Sequence, residues 1–593
     1  KYKSLCWMGR VNNMQFSHQQ NSAHQQPRDT ALPVWRRRVL LLGLLIGFMV
    51  LVGQSIYLQS TKKEFLQKQG GDRYIRTLSL QADRGKITDR NGVILAGSSP
   101  VGSVWANPSV VKMDAKQKVA LAKLLKIKTT TLNEKLSNKK REFVYIKRRI
   151  APSLANEVKA LKIKGVHLER EYKRFYPAGN MVSHVVGFTG VDGDGQEGVE
   201  LIRNAELTGK VGQRRVIKDR AGHIVEELEV VSEPRDGKEL ALSIDRRIQY
   251  LVFRELSKSV AKYKAKAASA VVLDAKTGEV LAMVNLPTYN PNNPVNSRGK
   301  TRNRALTDVF EPGSTMKPVT AAMEFGGYAP TTKVKTAPGY MMVGSATIHD
   351  THDYAELTVS EVVKKSSNVG SAKIALSLDK KKLWNVFNQL GFGEKTDIGF
   401  PGEARGKVRD YKTWRPIEQA TMSYGHGISV TLLQLARAYT VFTNDGELKP
   451  VSLVKLDKAP IGQPVFSASV ANSVKDMLEL VVQEGGTGTK AQVAGYRIAG
   501  KTGTAHKLGA NGYERDKYVG SFVGLAPASN PRLIMAVMID EPTSGQYYGG
   551  TVAAPVFSSV MSEVLRLLAV PQDAPNTNIV KPIIDDADVQ EMV

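Results

Sequence analysis

Twenty-three consecutive residues, Val39 to Thr61 (VLLLGLLIGFMVLVGQSIYLQST), carry no charged side chain, and that run limits what the rest of the chain can be. A helix crosses a bilayer with about 20 apolar residues, so residues 39–59 read as a single transmembrane helix; a buried core helix or a cleaved leader is the alternative. A leader needs a small-x-small cleavage site after its apolar core, and the chain offers Gln54-Ser55-Ile56-Tyr57-Leu58 instead. The segment therefore reads as an uncleaved anchor. Arg36, Arg37 and Arg38 abut one end, whereas the other flank mixes Lys62 and Lys63 with Glu64. By the positive-inside rule residues 1–38 form a cytoplasmic tail, and everything beyond about residue 60 lies outside the cytoplasmic membrane.

Composition bears chiefly on partners. The 593 residues hold 83 Lys+Arg against 56 Asp+Glu, a formal net charge of +27, which suits nucleic acid, an anionic membrane surface or an acidic polymer. No zinc-finger spacing, Walker loop or long basic arm is present, so nucleic acid is not expected as a partner. Cys6 is the only cysteine, which excludes an intrachain disulfide and a Cys-rich metal site. VDGDGQEGVE (Val191–Glu200) alternates acids with glycine but lacks the EF-hand register, so it reads as a turn and no metal is expected.

Past the anchor, residues 60 to about 80 read as a polar stalk. RGKITDRNGVILA (Arg84–Ala96) sets Asn91-Gly92 between two short apolar runs, a hairpin signal. A Lys-rich helical stretch is expected around Lys112–Lys147, then YKRFYPAGN (Tyr172–Asn180). Near residue 235 the texture changes. ELALSIDRRIQYLVFREL (Glu239–Leu256) reads as a strand, an Asp cap and an amphipathic helix, and ASAVVLDAKTGEVLAMVNLP (Ala268–Pro287) as two apolar strands about a turn. A second meander comprises YRIAGKTGTA (Tyr496–Ala505), a polar loop, YVGSFVGLAP (Tyr518–Pro527) and RLIMAVMIDEP (Arg532–Pro542). Strands at both ends of a region that is helical from 290 to 490 imply an α+β domain whose first and last strands share one antiparallel sheet.

Ser-x-x-Lys occurs eight times, at Ser60, Ser109, Ser137, Ser259, Ser297, Ser314, Ser377 and Ser452, so the tetrad by itself is uninformative. Only Ser314 stands in DVFEPGSTMKPVTAAMEFG (Asp308–Gly326). Pro318 is tolerated only in a helix's first turn, which places the helix start near Ser314, in the positive end of the helix dipole. Lys317 lies on the same face, among Met316, Val319, Ala321 and Ala322. Partial desolvation there lowers its pKa and makes it a candidate base. A capping serine beside a snorkelling lysine is the plain structural alternative. Two further elements weigh against it. In VVKKSSNVGSAKIAL (Val362–Leu376), Ser366-Ser367-Asn368 interrupts a helical pattern; in AGKTGTA (Ala499–Ala505), Gly503 permits close approach of a ligand to a strand while Lys501, Thr502 and Thr504 offer a cation and two hydroxyls. The second Lys-Thr-Gly, Lys276-Thr277-Gly278, falls in a hairpin turn and is a decoy.

Ser-x-x-Lys at Ser314, Ser-x-Asn at Ser366 and Lys-Thr-Gly-Thr at Lys501, in that order, resemble the three active-site motifs of penicillin-binding proteins and serine β-lactamases. Ser-Ser-Asn in place of Ser-Asp-Asn departs from class A β-lactamases and fits transpeptidases. RGKITDRNGVILA, YKRFYPAGN, DGQEGVE and LSIDRRIQ look like the non-catalytic motifs of class B penicillin-binding proteins. FEPGSTMKP, MSYGHGISVTLLQLARAY and DEPTSGQYYGGTVAAPVF look most like the septal D,D-transpeptidases of Gram-negative division, the FtsI type. The resemblance implies a pedestal (dimerisation-type) domain over 60–232, a transpeptidase domain over 233–572 and a C-terminal tail over 573–593.

It also implies an inner-membrane, single-pass protein with a periplasmic catalytic domain. Its substrates would be peptidoglycan stem peptides ending in D-Ala-D-Ala, with β-lactams as inhibitors and a septal glycosyltransferase and other divisome membrane proteins as partners. The resemblance makes Ser314 the nucleophile, Lys317 its base, Ser366 a proton relay and Asn368 a holder of the substrate amide. Lys501, Thr502, Gly503 and Thr504 would receive the terminal carboxylate, and the backbone N–H groups of Ser314 and Thr504 would form the oxyanion hole. No metal or organic cofactor is implied. An elongation-complex transpeptidase with the same chemistry, and a β-lactam-binding scaffold without catalysis, remain open at this stage.

Overall fold

The computed structural model describes residues 33–64, 75–218, 224–317, 327–509 and 512–575. Pro318, Cys6, residues 1–32 of the expected cytoplasmic tail and residues 576–593 lie outside the described residues. The chain separates into two compact units, residues 1–77 with 215–228, and residues 78–214 with 229–593.

In the first unit helix α1 (Val34–Ser60) is exposed along its whole length. Its most apolar stretch has a mean hydropathy of 2.4, so it is long and apolar enough to cross a membrane. Twenty-seven residues at the helical rise make roughly 40 Å, enough for the hydrocarbon core and part of both headgroup layers. The helix starts ahead of Val39 because nothing in Trp35-Arg36-Arg37-Arg38 breaks it, and Pro33 stands at its N-cap, where a missing N–H is no loss.

The second unit begins with the expected hairpin. Strands β1 (Ile87–Thr88) and β2 (Ile94–Ala106) pair antiparallel, with Gly92 at φ +82° in the turn between them. The Lys-rich stretch is not one helix but two, α2 (Ala115–Leu124) and α3 (Thr129–Ser137), followed by strand β3 (Val144–Ile150). Lys126, at φ +50°, breaks the helical path, and Val144-Tyr145-Ile146 favours a strand. Helix α4 (Pro152–Ala160) and strand β4 (Val166–Phe175) complete this lobe, β2 pairing with both β3 and β4. Its core is Val104, Ala106, Leu121, Leu132, Ile146 and Val158.

The three motif segments of this region converge on one buried carboxylate. Glu200, fully buried, accepts from Arg84 Nε at 2.7 Å and Arg174 Nε at 2.6 Å. Arg84 comes from RGKITD, Arg174 from YKRFYP and Glu200 from the end of DGQEGVE, where the expected turn gives way to a short helix, Gly198–Ile202. Removing one partner of such a buried group typically costs about 3–5 kcal/mol.

Strand β5 (Leu240–Ala241) leads to Asp245, which caps helix α5 (Arg246–Tyr263) by accepting from Arg247 N, as the sequence anticipated. Strands β6 (Ala267–Asp274) and β7 (Val280–Leu286) follow. After a region containing α6 (Val359–Lys365), α7 (Asn368–Ser377), α8 (Leu432–Ala438) and α9 (Ala468–Val482) come β8 (Ala499–Gly509), β9 (Gly512–Ala526), β10 (Leu533–Asp540) and α10 (Ala554–Leu567). The sheet order is β7-β6-β10-β9-β8, antiparallel throughout. The two meanders meet at β6–β10, Val271 opposite Ala536, which is the expected pairing of first and last strands.

Both faces of this sheet are covered. Ala270 and Val272 face α5 and α10 through Val252, Leu256, Phe557 and Val560; Val271 and Leu273 face the other layer, with Leu433, Ala436 and Val474. Period-2 alternation survives in the structure but not in the sequence, because both faces demand apolar residues. One expectation fails. Residues 506–509 and 512–517, read as part of a polar loop, continue the hairpin, with His506 opposite Tyr518 and Leu508 opposite Tyr513. Main-chain pairing there needs no buried face, so no apolar signal marks it. Lys276-Thr277-Gly278 is indeed the β6–β7 turn, with Gly278 at φ +73°.

Candidate active site

Ser314 lies in a single 3-10 turn, Gly313–Met316, entered through Pro312. The turn is clamped between two backbones. Gly313 has φ +60° and a Cβ there would lie 3.1 Å from Thr504 O, while a Cβ on Gly425 would lie 2.2 Å from Gly313 O. From behind, the buried Tyr439 hydroxyl donates to Thr315 O at 2.8 Å. The turn therefore sits directly against β8, next to Thr504. The space left by the missing side chain of Gly503 is taken up by Pro312 O, at 2.7 Å from an added Cβ, and by Thr315 and Ser521. Its bareness thus accommodates the serine's own turn.

Lys317, one step past that turn, is 1% exposed. Its Nζ donates to the Ser366 carbonyl oxygen, to Ser366 Oγ at 3.0 Å and to Asn368 Oδ1 at 2.9 Å. Lys501, fully buried on β8, approaches from the other side and donates to Ser366 Oγ at 2.9 Å and Thr502 O at 3.2 Å. Ser366 Oγ thus bridges two amines. A hydroxyl can accept from one and donate to the other's lone pair, so a proton can cross between Lys501 and Lys317 through Ser366. Burial, then the charge of Lys501, holds Lys317 well below the usual lysine range, with Asp350 opposing. Burial pulls Lys501 down to about 7.

The local sequence explains this placement. Ser366 ends α6 in a left-handed conformation, φ 61° and ψ 40°, and Ser367 caps α7 by accepting from Gly370 N at 2.8 Å. Two helices thus break at adjacent serines, and the first serine's carbonyl and hydroxyl both turn toward Lys317. A non-glycine residue in this region costs on the order of 1–3 kcal/mol and persists only where its surroundings enforce it. Here Asp350 enforces it. Its carboxylate accepts from Ser367 Oγ at 2.5 Å, from Val369 N at 3.0 Å and from Asn368 N, while Asn368 Nδ2 donates to His349 O at 2.9 Å.

On β8, Thr502 Oγ1 lies 2.9 Å from Thr487 Oγ1, and Thr504 Oγ1 accepts from Gly549 N at 3.0 Å. Glu311 ties neighbouring segments to the serine's turn by accepting from Gly427 N at 2.8 Å and the Tyr513 hydroxyl at 2.9 Å; burial raises its pKa. His426 stands 3.9 Å from that carboxylate and is held down at about 4 by burial, with His506 and Lys317 adding to it.

The structure thus gathers Lys317, Ser366, Asn368 and Lys501 into one hydrogen-bonded cluster and sets Gly503 and Thr504 against the Ser314 turn. Sequence reasoning missed Asp350, Thr487, Glu311 and Gly425. The only signal for Asp350 was a polar Asp350-Thr351-His352-Asp353 run after a short strand. Asp350→Ala leaves two N–H groups without a partner, at about 1–3 kcal/mol each. It is expected to slow acylation by a fluorescent penicillin about 10- to 100-fold, measured by stopped labelling against time; an unchanged rate would show that the Ser366 geometry holds itself.

Residues 268–562 match the penicillin binding protein transpeptidase domain, and residues 79–242 match the penicillin-binding protein dimerisation domain. Over 552 residues the chain is 42% identical to the peptidoglycan D,D-transpeptidase FtsI of Escherichia coli K12, covering 92% of this chain and 93% of that one. Among solved structures, the transpeptidase domain of Burkholderia pseudomallei penicillin-binding protein 3 is 47% identical, with a TM-score of 0.52, over 56% of this chain and 98% of that one. A peptidoglycan synthetase from Bifidobacterium adolescentis is 26% identical with a TM-score of 0.68, over 85% of this chain and 98% of that one. With both domain matches in order and a full-length relative at this identity, the chain belongs to the penicillin-binding proteins that carry a dimerisation domain ahead of a transpeptidase domain.

Proposed function

We propose that the protein is a peptidoglycan D,D-transpeptidase of the division septum, acting through a serine acyl-enzyme. The observation that carries the reading is Ser366 Oγ held between Lys317 and Lys501 at 3.0 and 2.9 Å, beside a turn that presents Ser314. Burial favours the neutral form of Lys317, which keeps two N–H donors for its contacts with Ser366 and Asn368 and uses its lone pair to take the Ser314 proton as Oγ attacks the penultimate D-Ala carbonyl of a donor stem peptide. The oxyanion forms toward the N–H groups of Ser314 and Thr504, each such donor being worth about 3–4 kcal/mol. Collapse breaks the C–N bond, and the departing D-Ala nitrogen takes its proton through Ser366. Asn368 holds the donor amide, and Lys501, Thr502 and Thr504 receive the terminal carboxylate. An amine from a neighbouring stem then attacks the ester, forming the cross-link and returning the proton to Ser314 Oγ. β-Lactams acylate Ser314 in the donor's place.

In this reading α1 anchors the protein in the inner membrane with residues 1–38 cytoplasmic, residues 60–232 form the pedestal and residues 233–572 work in the periplasm beside a septal glycosyltransferase and other divisome membrane proteins. The likeness to FtsI over nearly the whole chain supports the septal assignment. Depletion of the protein is expected to give filaments with unpinched septa. Round cells would reassign it to the elongation complex with its chemistry intact.

A further inference from the structure

Residues 107–165, about a tenth of the chain, hold thirteen lysines and three arginines against four acids, a net charge of +12 out of +27. Among these sixteen basic residues only Arg148 is in an ion pair. Lys112, Lys116, Lys123, Lys126, Lys128, Lys139 and Lys140 are exposed. Asp114 is committed as the cap of α2, its carboxylate accepting from Gln117 N. Apolar packing of α2, α3 and α4 on β2 and β3 holds the lobe together; Lys135, Lys147, Arg148 and Arg149 also tie it through hydrogen bonds, whereas the exposed lysines add mainly self-repulsion. The same lobe has a concave site of about 740 Å³ at α2 and α3, lined by Lys112, Gln117, Lys118, Asn133, Leu136 and Lys139 among others. Asp114 also lines it, its carboxylate engaged by Gln117 N; three ammonium groups against that one carboxylate, with two side-chain amides and an apolar floor, suit a peptide that carries carboxylates.

We propose that this groove and the lysines around it bind the carboxylate-bearing stem peptides of uncross-linked peptidoglycan, away from the catalytic cleft. The preference of lysine over arginine favours a repeating polymer. Arginine's planar fork fixes one carboxylate bidentately, whereas flexible lysines act as interchangeable point charges. Thirteen lysines to three arginines is what a strand with a carboxylate at every repeat would slide over, and a unique acidic docking segment would be met by the reverse. The function that follows is retention: the pedestal keeps the strand beside the transpeptidase domain between successive acylations. The identity of the polymer rests on the transpeptidase reading above.

The test uses full-length protein in detergent, its Ser314 first blocked with penicillin so that the cleft contributes nothing. Soluble uncross-linked glycan strands with intact stem peptides are the probe, and binding is followed by sedimentation at low and physiological salt. The triple variant Lys112→Gln, Lys118→Gln, Lys139→Gln, at surface positions where substitution leaves the fold intact, is expected to bind about tenfold more weakly. Strands whose carboxyls have been amidated should show the same loss with the parent protein, and salt should weaken the parent more than the variant. A variant that binds like the parent, amidated strands that bind as well as native ones, or displacement of strands by phosphatidylglycerol vesicles would each overturn the proposal. Penicillin labelling of the unblocked variant should match the parent's. Failure of the parent itself to label would instead sink the transpeptidase reading.

Discussion

Replacing Ser314 by alanine is expected to abolish labelling by a fluorescent penicillin and to lower cross-linking by roughly six orders of magnitude, the scale seen when serine hydrolases lose their nucleophile. The fold should survive. The turn is held by its neighbours and not by Ser314 Oγ: Gly313 lies against Thr504, Gly425 lies against Gly313, and Tyr439 fixes Thr315 O at 2.8 Å. Deleting one partly exposed oxygen leaves those contacts in place, so thermal unfolding should move by no more than a few degrees. Labelling of the alanine variant at the parent's rate would remove Ser314 from the mechanism.

Lys317→Ala should be nearly as damaging to acylation, for two reasons that add. A positioned base contributes about 10²–10⁴ in rate. The lysine also contacts Ser366 O, Ser366 Oγ and Asn368 Oδ1, so its removal takes a partner from the part-buried Ser366 O and Asn368 Oδ1, leaves Ser366 Oγ to Lys501 alone and loosens the left-handed Ser366. The expected loss is about 10³-fold or more, read from acylation time courses. Acylation at the parent's rate would mean another group takes the proton.

The pH dependence follows from the direction of the shift. Lys317 is held well below the ordinary lysine pKa, so the unfolded chain binds its proton over a range where the folded protein has released it. Folding stability from this site therefore rises with pH across that range and falls on acidification, when a cation must be buried beside Lys501. Acylation should decline on the acid side in the same sense, because a protonated Lys317 cannot accept from Ser314.

Much of the fold was legible because it is written locally. The two meanders declare themselves as apolar runs bounded by glycine and proline, and Asp245 announces the helix it caps. The extension of the β8–β9 hairpin through His506 and Tyr513 was not legible, since exposed paired backbone leaves no hydrophobic period. In the site, the Ser314, Ser366 and Lys501 segments were found through a known pattern of spacing and through what stands next to each. The residues that hold them were hidden for a different reason. Asp350 acts on Asn368 across 18 positions, Glu311 on Gly427 across 116 and Gly549 on Thr504 across 45. Nothing around any of them in the sequence signals a partner so distant. Gly503 illustrates the same limit. Its lack of a side chain was read as room for a ligand, and the fold shows it as room for Pro312, which precedes the nucleophile's turn.

Catalysis at this site rests on one covalent bond to Ser314, and peptide mapping of the penicillin-labelled protein by mass spectrometry tests it most directly. The adduct is expected on the peptide containing Gly313-Ser314-Thr315, on Ser314 alone, and to persist for hours. An adduct on Ser366 or on any of the other seven Ser-x-x-Lys serines, or no adduct on a folded protein, would contradict it.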